Sequence, residues 1–268
     1  MAVLDAVQAV SPEELEAFHR EGFHIARGLF AREEIERFRQ HFMDMHAERR
    51  IPGYPFKDPK ETTDPLQLYG RIMHPHRFDE LSKKYLLDLR VWSVLQALLG
   101  EEPVATQSML YFKPPGARGQ AFHQDNYYLK VRPKSCIAAW TALERTDPDN
   151  GGLMVCPRTH TLEVACPKQA DLTESFSTEL VTPPEGCTPV PVILEPGDVL
   201  FFNGSVVHGS TPNRSKDRWR RSFICHYAPE SMHEIAHWYF PLLNRNGDEV
   251  TYESAKGGGP CGNAPDVE

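Results

Sequence analysis

The sequence predicts a mainly β protein with N-terminal helices, its strands stacked as a sandwich or jelly roll. Before Gly100, apolar residues recur at helical spacing in segments with recognisable starts and stops. From Pro103 onward the chain becomes short β-like runs parted by Pro, Gly, Asn and Asp clusters. Many short strands with such turns suggest two stacked sheets. The size agrees: 268 residues, 40% hydrophobic and 25% charged, suit one β-rich domain with a sizeable core.

The first helix is announced by "SPEELEAFHREGF". Ser11 is a candidate N-cap, Pro12 falls at the first helical position, and Glu14 completes a capping box. Leu15, Phe18 and His19 fall on one stripe, and Gly22 stops the helix. "HIARGLF" reads as a short extended piece. "AREEIERFRQHFMDMHAERR" reads as a second amphipathic helix, with Ile35, Phe38, Phe42 and Met45 on its apolar face. Residues 51–76, rich in Pro, Gly and charge, read as a long loop. "RFDELSKKYLLDLRVWSVLQALLG" reads as a short helix and then another ending at Gly100.

The β runs are "VATQSMLYFKPP", "CIAAWTALE", "GGLMVCP", "VPVILEPGDVLFFNGSVVHGS" and "RSFICHYAP". The expected organisation is a single domain over 1–268. Residues 11–100 form a helical layer, 101–230 a β core, and 231–268 a C-terminal segment ending in a flexible tail, "AKGGGPCGNAPDVE".

A net charge of −8 argues against nucleic acid as a partner. No window approaches the ~20 apolar residues of a membrane span. "MAVLDAVQAVSPEEL" lacks the features of a secretory signal, and the final residues match no peroxisomal or retention tripeptide. The six cysteines are scattered with no CxxC pair, so reduced thiols in a cytoplasmic protein are expected.

The chemistry concentrates in "AFHQDNYYL", residues 121–129. In an extended strand, side chains at i and i+2 share a face. His123 and Asp125 would then project together, roughly 7 Å apart along the backbone. A third candidate, His208, stands at a strand end before "GSTPN". Two imidazoles and one carboxylate make a facial triad that binds iron(II) and leaves positions open.

At this point a resemblance is plain. "FHQDNYYLKVRPKSCIAAWTALERTDPDNGGLMVCPRTH", "PGDVLFFNGSVVHGSTPNRS" and "RRSFICHYA" resemble the phytanoyl-CoA dioxygenase family over residues 11–230. The resemblance is most specific in residues 121–160 and 196–227. It implies a double-stranded β-helix (jelly-roll, cupin-like) core and iron(II) held by His123, Asp125 and His208. The implied cosubstrates are 2-oxoglutarate and O2. It also implies an arginine for the far carboxylate of 2-oxoglutarate, a role that suits a rigid guanidinium fork. Arg218, Arg220 and Arg221 are all available, and counting back from "ICHYA" selects Arg220. Ser222, two residues on, would share its face. By the same resemblance Gln107 hydrogen-bonds the cosubstrate and Trp140 lines its pocket, although an alternating tryptophan is more often core. Tyr111 and Lys113 are expected on the strand face of Gln107. Where the family usually has Gly after the proline, this chain has Arg158.

The implied activity is hydroxylation of an aliphatic C–H bond of a small molecule: a natural product, an amino-acid-like solute or an acyl thioester. Desaturation or cyclisation would share the early steps. Halogenation is disfavoured, because it needs the Asp125 position vacated. The competing readings are a catalytically silent cupin-like binding module and a metal-dependent hydrolase or isomerase on the same fold. His160 and His226 read as structural, and His74 and His76 as loop residues. Lys130, Arg132 and Lys134 read as a solvated edge or a positive rim for an anionic substrate. Residues 51–76, "NYYLKVRPKS" and 229–245 are the expected substrate wall.

Overall fold

A computed structural model describes residues 10–256. Helix α1 spans Pro12–Glu21, and its capping box is formed: Glu14 N–H donates to Ser11 Oγ at 3.2 Å, and Ser11 N–H to the Glu14 carboxylate at 2.9 Å. Gly22 closes it at φ 87, where a Cβ would stand 2.5 Å from His160 Nδ1. That position therefore needs glycine twice over, for its backbone and for space. Phe18 is buried, but His19 is exposed and does not join the apolar stripe.

Helix α2, Arg32–Ala47, buries Ile35, Phe38, Phe42 and Met45 as its spacing predicts. The expected loop at 51–76 contains a helical turn α3, Pro65–Leu68, and ends in a strand. Helices α4, Glu80–Leu86, and α5, Leu89–Leu99, complete the layer, with Gly100 left-handed at the end.

The strands are β1 Phe23–Ala26, β2 Arg71–Met73, β3 Pro103–Tyr111, β4 Gln120–His123, β5 Ile137–Ala142 and β6 Leu153–Val155. After them come β7 Lys168–Gln169, β8 Glu179–Leu180, β9 Val190–Pro191, β10 Val199–Asn203, β11 His208–Ser210 and β12 Ser222–Pro229. One sheet runs β1-β10-β5-β12-β3, with β2 and short strands at Leu242–Leu243 and Glu249–Val250 on its edge; the facing sheet runs β4-β11-β6-β9. All these pairings are antiparallel. The result is the mainly β, jelly-roll architecture expected.

Strand alternation divides the core in two. Phe223, Cys225 and Tyr227 of β12 pack toward the helices, with Phe38 meeting Phe223 edge-on at 5.0 Å. Each such buried ring contributes roughly 1.5–3 kcal/mol. Ile224 of β12, Trp140 of β5, Met109 of β3 and Leu200 of β10 face the opposite way, into the space between the sheets. Polar residues in that same register have only this inter-sheet space to occupy.

Among the described residues, no helix is long and apolar enough to cross a membrane. Cys136, Cys156, Cys187 and Cys225 are free thiols. Cys166 is disulfide-bonded, which corrects the expectation of reduced thiols throughout; cysteines without a spacing pattern carry no pairing signal. The tail expected to be flexible lies, from residue 257, outside the described residues, as do residues 1–9.

Candidate metal centre

His123 ends β4 and pairs across the ladder with His208, the first residue of β11. Their rings lie 4.2 Å apart. Gly209 permits this closeness, since a Cβ there would stand 2.9 Å from the Gln120 carbonyl oxygen. Asp125 is not on the strand, contrary to the i, i+2 expectation. It caps a helical turn, α6 Asn126–Leu129, at φ −60. The chain bends after His123 and swings the carboxylate back over both imidazoles. Gln124 points away and pins the bend: its Nε2 donates to Ser205 O at 2.8 Å, and its Oε1 accepts from Ala165 N–H at 2.8 Å.

One ligand atom each from His123, Asp125 and His208 falls within a 4.8 Å cluster, and all three residues are buried. Asp125 Oδ1 is 3.4 Å from His123 Nε2 and 3.6 Å from His208 Nε2. His123 Nδ1 lies 2.8 Å from the Ala121 carbonyl oxygen, and His208 Nδ1 lies 3.0 Å from that of Val206. A carbonyl oxygen can only accept, so both Nδ1 atoms carry a proton and Nε2 is the atom each ring turns toward Asp125, with Gln120 Nε2 3.1 Å from that of His123. Burial pushes His208 down to about 4, so it is neutral at pH 7. Burial alone would raise Asp125, but the surrounding imidazoles of His208, His226 and His123 outweigh it and hold the group well below its usual value. Two imidazole nitrogen donors and one carboxylate in one cluster fit a divalent iron.

The inward face of β12 carries the rest. His226 Nε2 donates to Asp125 Oδ2 at 3.0 Å. Its Nδ1 is buried without a partner among the described residues. Gln107 pairs opposite His226 and is buried, with no side-chain hydrogen bond among the described residues. Ser222 lies at the other end of the same strand face, and Trp140 pairs with Ile224 between the two.

Arg220 donates from Nη1 to Ser222 Oγ at 2.8 Å and from Nε to Gly151 O at 3.1 Å. Its guanidinium carbon stands 5.5 Å from the Trp140 ring and 5.8 Å from that of Tyr111. It is 3% exposed, and burial lowers it to about 10. No carboxylate pairs with it among the described residues, whereas Arg218 is bidentate on Asp147 at 2.7 and 3.0 Å and Arg221 pairs with Glu144. A buried guanidinium without a counter-ion is costly unless an anion arrives.

Lys113 does not lie on β3 with Gln107, as expected. That strand ends at Tyr111, and Lys113 follows at φ 34. Nor are Lys130, Arg132 and Lys134 an alternating strand. Lys130 terminates α6 in the left-handed region, Arg132 pairs with Glu234 at 3.1 Å, and Lys134 pairs with Glu101. His160 is structural, its Nε2 lying 3.1 Å from His19 O. Sequence reasoning missed the contact between His226 and Asp125, and it missed Ser210, whose Oγ meets Lys113 Nζ at 2.9 Å. The sequence neighbours of these residues carry no sign of either contact.

The phytanoyl-CoA dioxygenase (PhyH) family profile matches residues 18–222. A probable phytanoyl-CoA dioxygenase of Caenorhabditis elegans is 28% identical over 248 residues, covering 83% of this chain and 77% of that one. The peroxisomal phytanoyl-CoA dioxygenase of Bos taurus is 25% identical over 240 residues, covering 84% and 71%. Among solved structures, the epimerase SnoN in complex with Fe3+, alpha ketoglutarate and nogalamycin RO superposes with TM-score 0.67 at 16% identity, over 92% of this chain and 95% of that one. EctD from S. alaskensis, with 2-oxoglutarate and 5-hydroxyectoine, gives TM-score 0.67 at 20% identity, over 87% and 80%.

Proposed function

The chain belongs to the phytanoyl-CoA dioxygenase family, and on that premise we propose that it is a non-haem iron(II)- and 2-oxoglutarate-dependent dioxygenase that hydroxylates an aliphatic C–H bond of a small molecule. His123, Asp125 and His208 hold the iron in this reading, and Arg220 takes the far carboxylate of 2-oxoglutarate. The observation that carries it is the pairing of two features, contributed by the two facing sheets. One is a three-donor cluster, and the other is a buried guanidinium with no carboxylate partner among the described residues.

Iron(II), when bound, supplies the O2-activating redox chemistry that the side chains cannot. The chain's own part is positioning and electrostatics. The Ala121 and Val206 carbonyls fix the tautomers that present Nε2. His226 holds Oδ2 of Asp125, leaving Oδ1 toward the imidazoles. Arg220 and Ser222 offer donors to an anion, and Trp140 and Tyr111 flank the guanidinium with aromatic faces. The buried setting keeps water from competing for these bonds.

The substrate wall is drawn from the segments the sequence marked. Tyr128 lies 6.2 Å from the His123 ring, and Trp238 and Tyr239 lie 5.8 and 6.3 Å from His74. The four free thiols among the described residues support a cytoplasmic location, and the Cys166 disulfide is the observation against it; relatives include peroxisomal proteins. Cell fractionation decides.

The test is succinate release from 2-oxoglutarate with iron(II) and ascorbate. Wild type turns over and Asp125→Ala does not. Iron binding by a variant with all three ligands replaced by alanine, as tight as in wild type, would remove the assignment. A silent binding module would bind 2-oxoglutarate and release no succinate under any substrate.

A further inference from the structure

Lys113 is 2% exposed, and no carboxylate pairs with it among the described residues. Its Nζ meets three oxygens: Gly151 O at 3.0 Å, Ser210 Oγ at 2.9 Å and Thr211 O at 2.5 Å. Three acceptors match the three N–H bonds of an ammonium. The neighbourhood is built around this side chain, since a Cβ on Gly151 would stand 2.6 Å from Lys113 Cε.

Lys113 is tied to Arg220 twice. The Arg220 backbone N–H donates to the Lys113 carbonyl at 3.1 Å, and both side chains donate to the same oxygen, Gly151 O. Two buried basic side chains thus share one carbonyl, with no carboxylate between them among the described residues. Burial and the Arg220 charge both disfavour the Lys113 ammonium. A neutral side chain could fill the same space without that cost.

We propose that Lys113 is a second cation of the 2-oxo-acid cavity, which with Arg220 gives it two positive charges and selects a 2-oxo acid bearing a second carboxylate over one with a neutral end. The proposal rests on the reading of Arg220 as the cosubstrate clamp. Lys113 is a positioning and specificity residue. It acts through charge and through the Gly151 and Ser210 oxygens it holds.

The experiment compares 2-oxoglutarate with 2-oxopentanoate, which lacks the far carboxylate, by calorimetric titration of iron(II)-loaded protein under nitrogen. In Lys113→Met the dissociation constant for 2-oxoglutarate should rise about 30-fold, the scale of one unit charge several ångströms away in a protein interior. That for 2-oxopentanoate should change by less than about threefold, because it offers that charge nothing. Equal weakening of both acids, or of neither, overturns the proposal; equal weakening is what a purely structural pin would give. Arg220→Met provides a second arm that does not depend on the Lys113 variant folding. A preference for the dicarboxylate should survive there, and its complete loss would leave Lys113 no share and overturn the proposal. Unchanged 2-oxoglutarate affinity in Arg220→Met would instead overturn the cosubstrate reading itself.

Discussion

Replacing His226 with Phe should weaken metal binding at a residue that is not itself a ligand. The imidazole is 2% exposed, and its Nε2–H is the hydrogen bond to Asp125 Oδ2, at 3.0 Å. Phenylalanine fills the ring's space and donates nothing. A hydrogen bond to a charged group contributes about 1.5–3 kcal/mol, and a factor of ten is about 1.4 kcal/mol, so the ceiling on the loss is about 10- to 150-fold. Partners of metal ligands lost elsewhere cost about 10- to 100-fold. Two effects oppose each other here. Without His226 the carboxylate loses its orientation, which weakens binding. The metal-free state, however, then holds a less compensated buried anion, and relief of that strain favours binding. The orientation effect should win, because Oδ2, once released, lets the carboxylate rotate away from the two Nε2 atoms. The assay is calorimetric titration with iron(II) under nitrogen, on wild type, His226→Phe and His226→Gln, with glutamine able to restore a donor in part. Unchanged or tighter binding in the Phe variant would show that the bond merely satisfies the metal-free carboxylate.

Arg220→Ala should raise the apparent KM for 2-oxoglutarate by about 10- to 150-fold, as expected for a lost charge-assisted contact. Arg218→Ala and Arg221→Ala should change it by less than about threefold, because Asp147 and Glu144 already neutralise those guanidinia. A dominant effect at Arg221 would move the clamp. Acid should destabilise the fold between about pH 6.5 and pH 4. Burial lowers His74 to about 3 and His76 to about 4, from the ordinary histidine value of 6.5. In that window the unfolded chain binds protons that the folded chain refuses, so stability is complete above the window and falls as pH drops. The slope is on the order of 1.4 kcal/mol per pH unit for each histidine. Urea denaturation of metal-free protein at pH 7 and pH 5 checks this, and His74→Phe should flatten the slope; an unaltered slope would locate the acid sensitivity elsewhere.

What could be read from the sequence is local or periodic. The α1 capping box lies within four residues, and the β12 alternation that sends Phe223 and Ile224 to opposite sides has a period of two. Both follow from the chain's own geometry. The strand β2 could not be read, because three residues in a Pro- and Gly-rich stretch show no alternation; pairing with β3 makes it a strand. Asp125 is legible as a ligand candidate although its strand expectation fails, because β4 ends at His123. The convergence needed is between ligand atoms, and a bend pinned by Gln124 supplies it as well as a straight strand would.

The residues that were missed have a common cause. His226 reaches Asp125 across 101 positions and Lys113 reaches Ser210 across 97, so neither contact leaves a mark within a window of turns or strands. Arg220 shows the intermediate case. Its position in "RWRRS" narrows the choice to three guanidinia, and the choice among them turns on where Asp147 and Glu144 lie in space. Two of the three arginines are neutralised by the fold itself. The one left uncompensated is the one whose charge is free for a ligand. A search for buried basic side chains without carboxylate partners among the described residues would therefore find the proposed anion site with no knowledge of the proposed metal ligands, and it returns Lys113 beside Arg220.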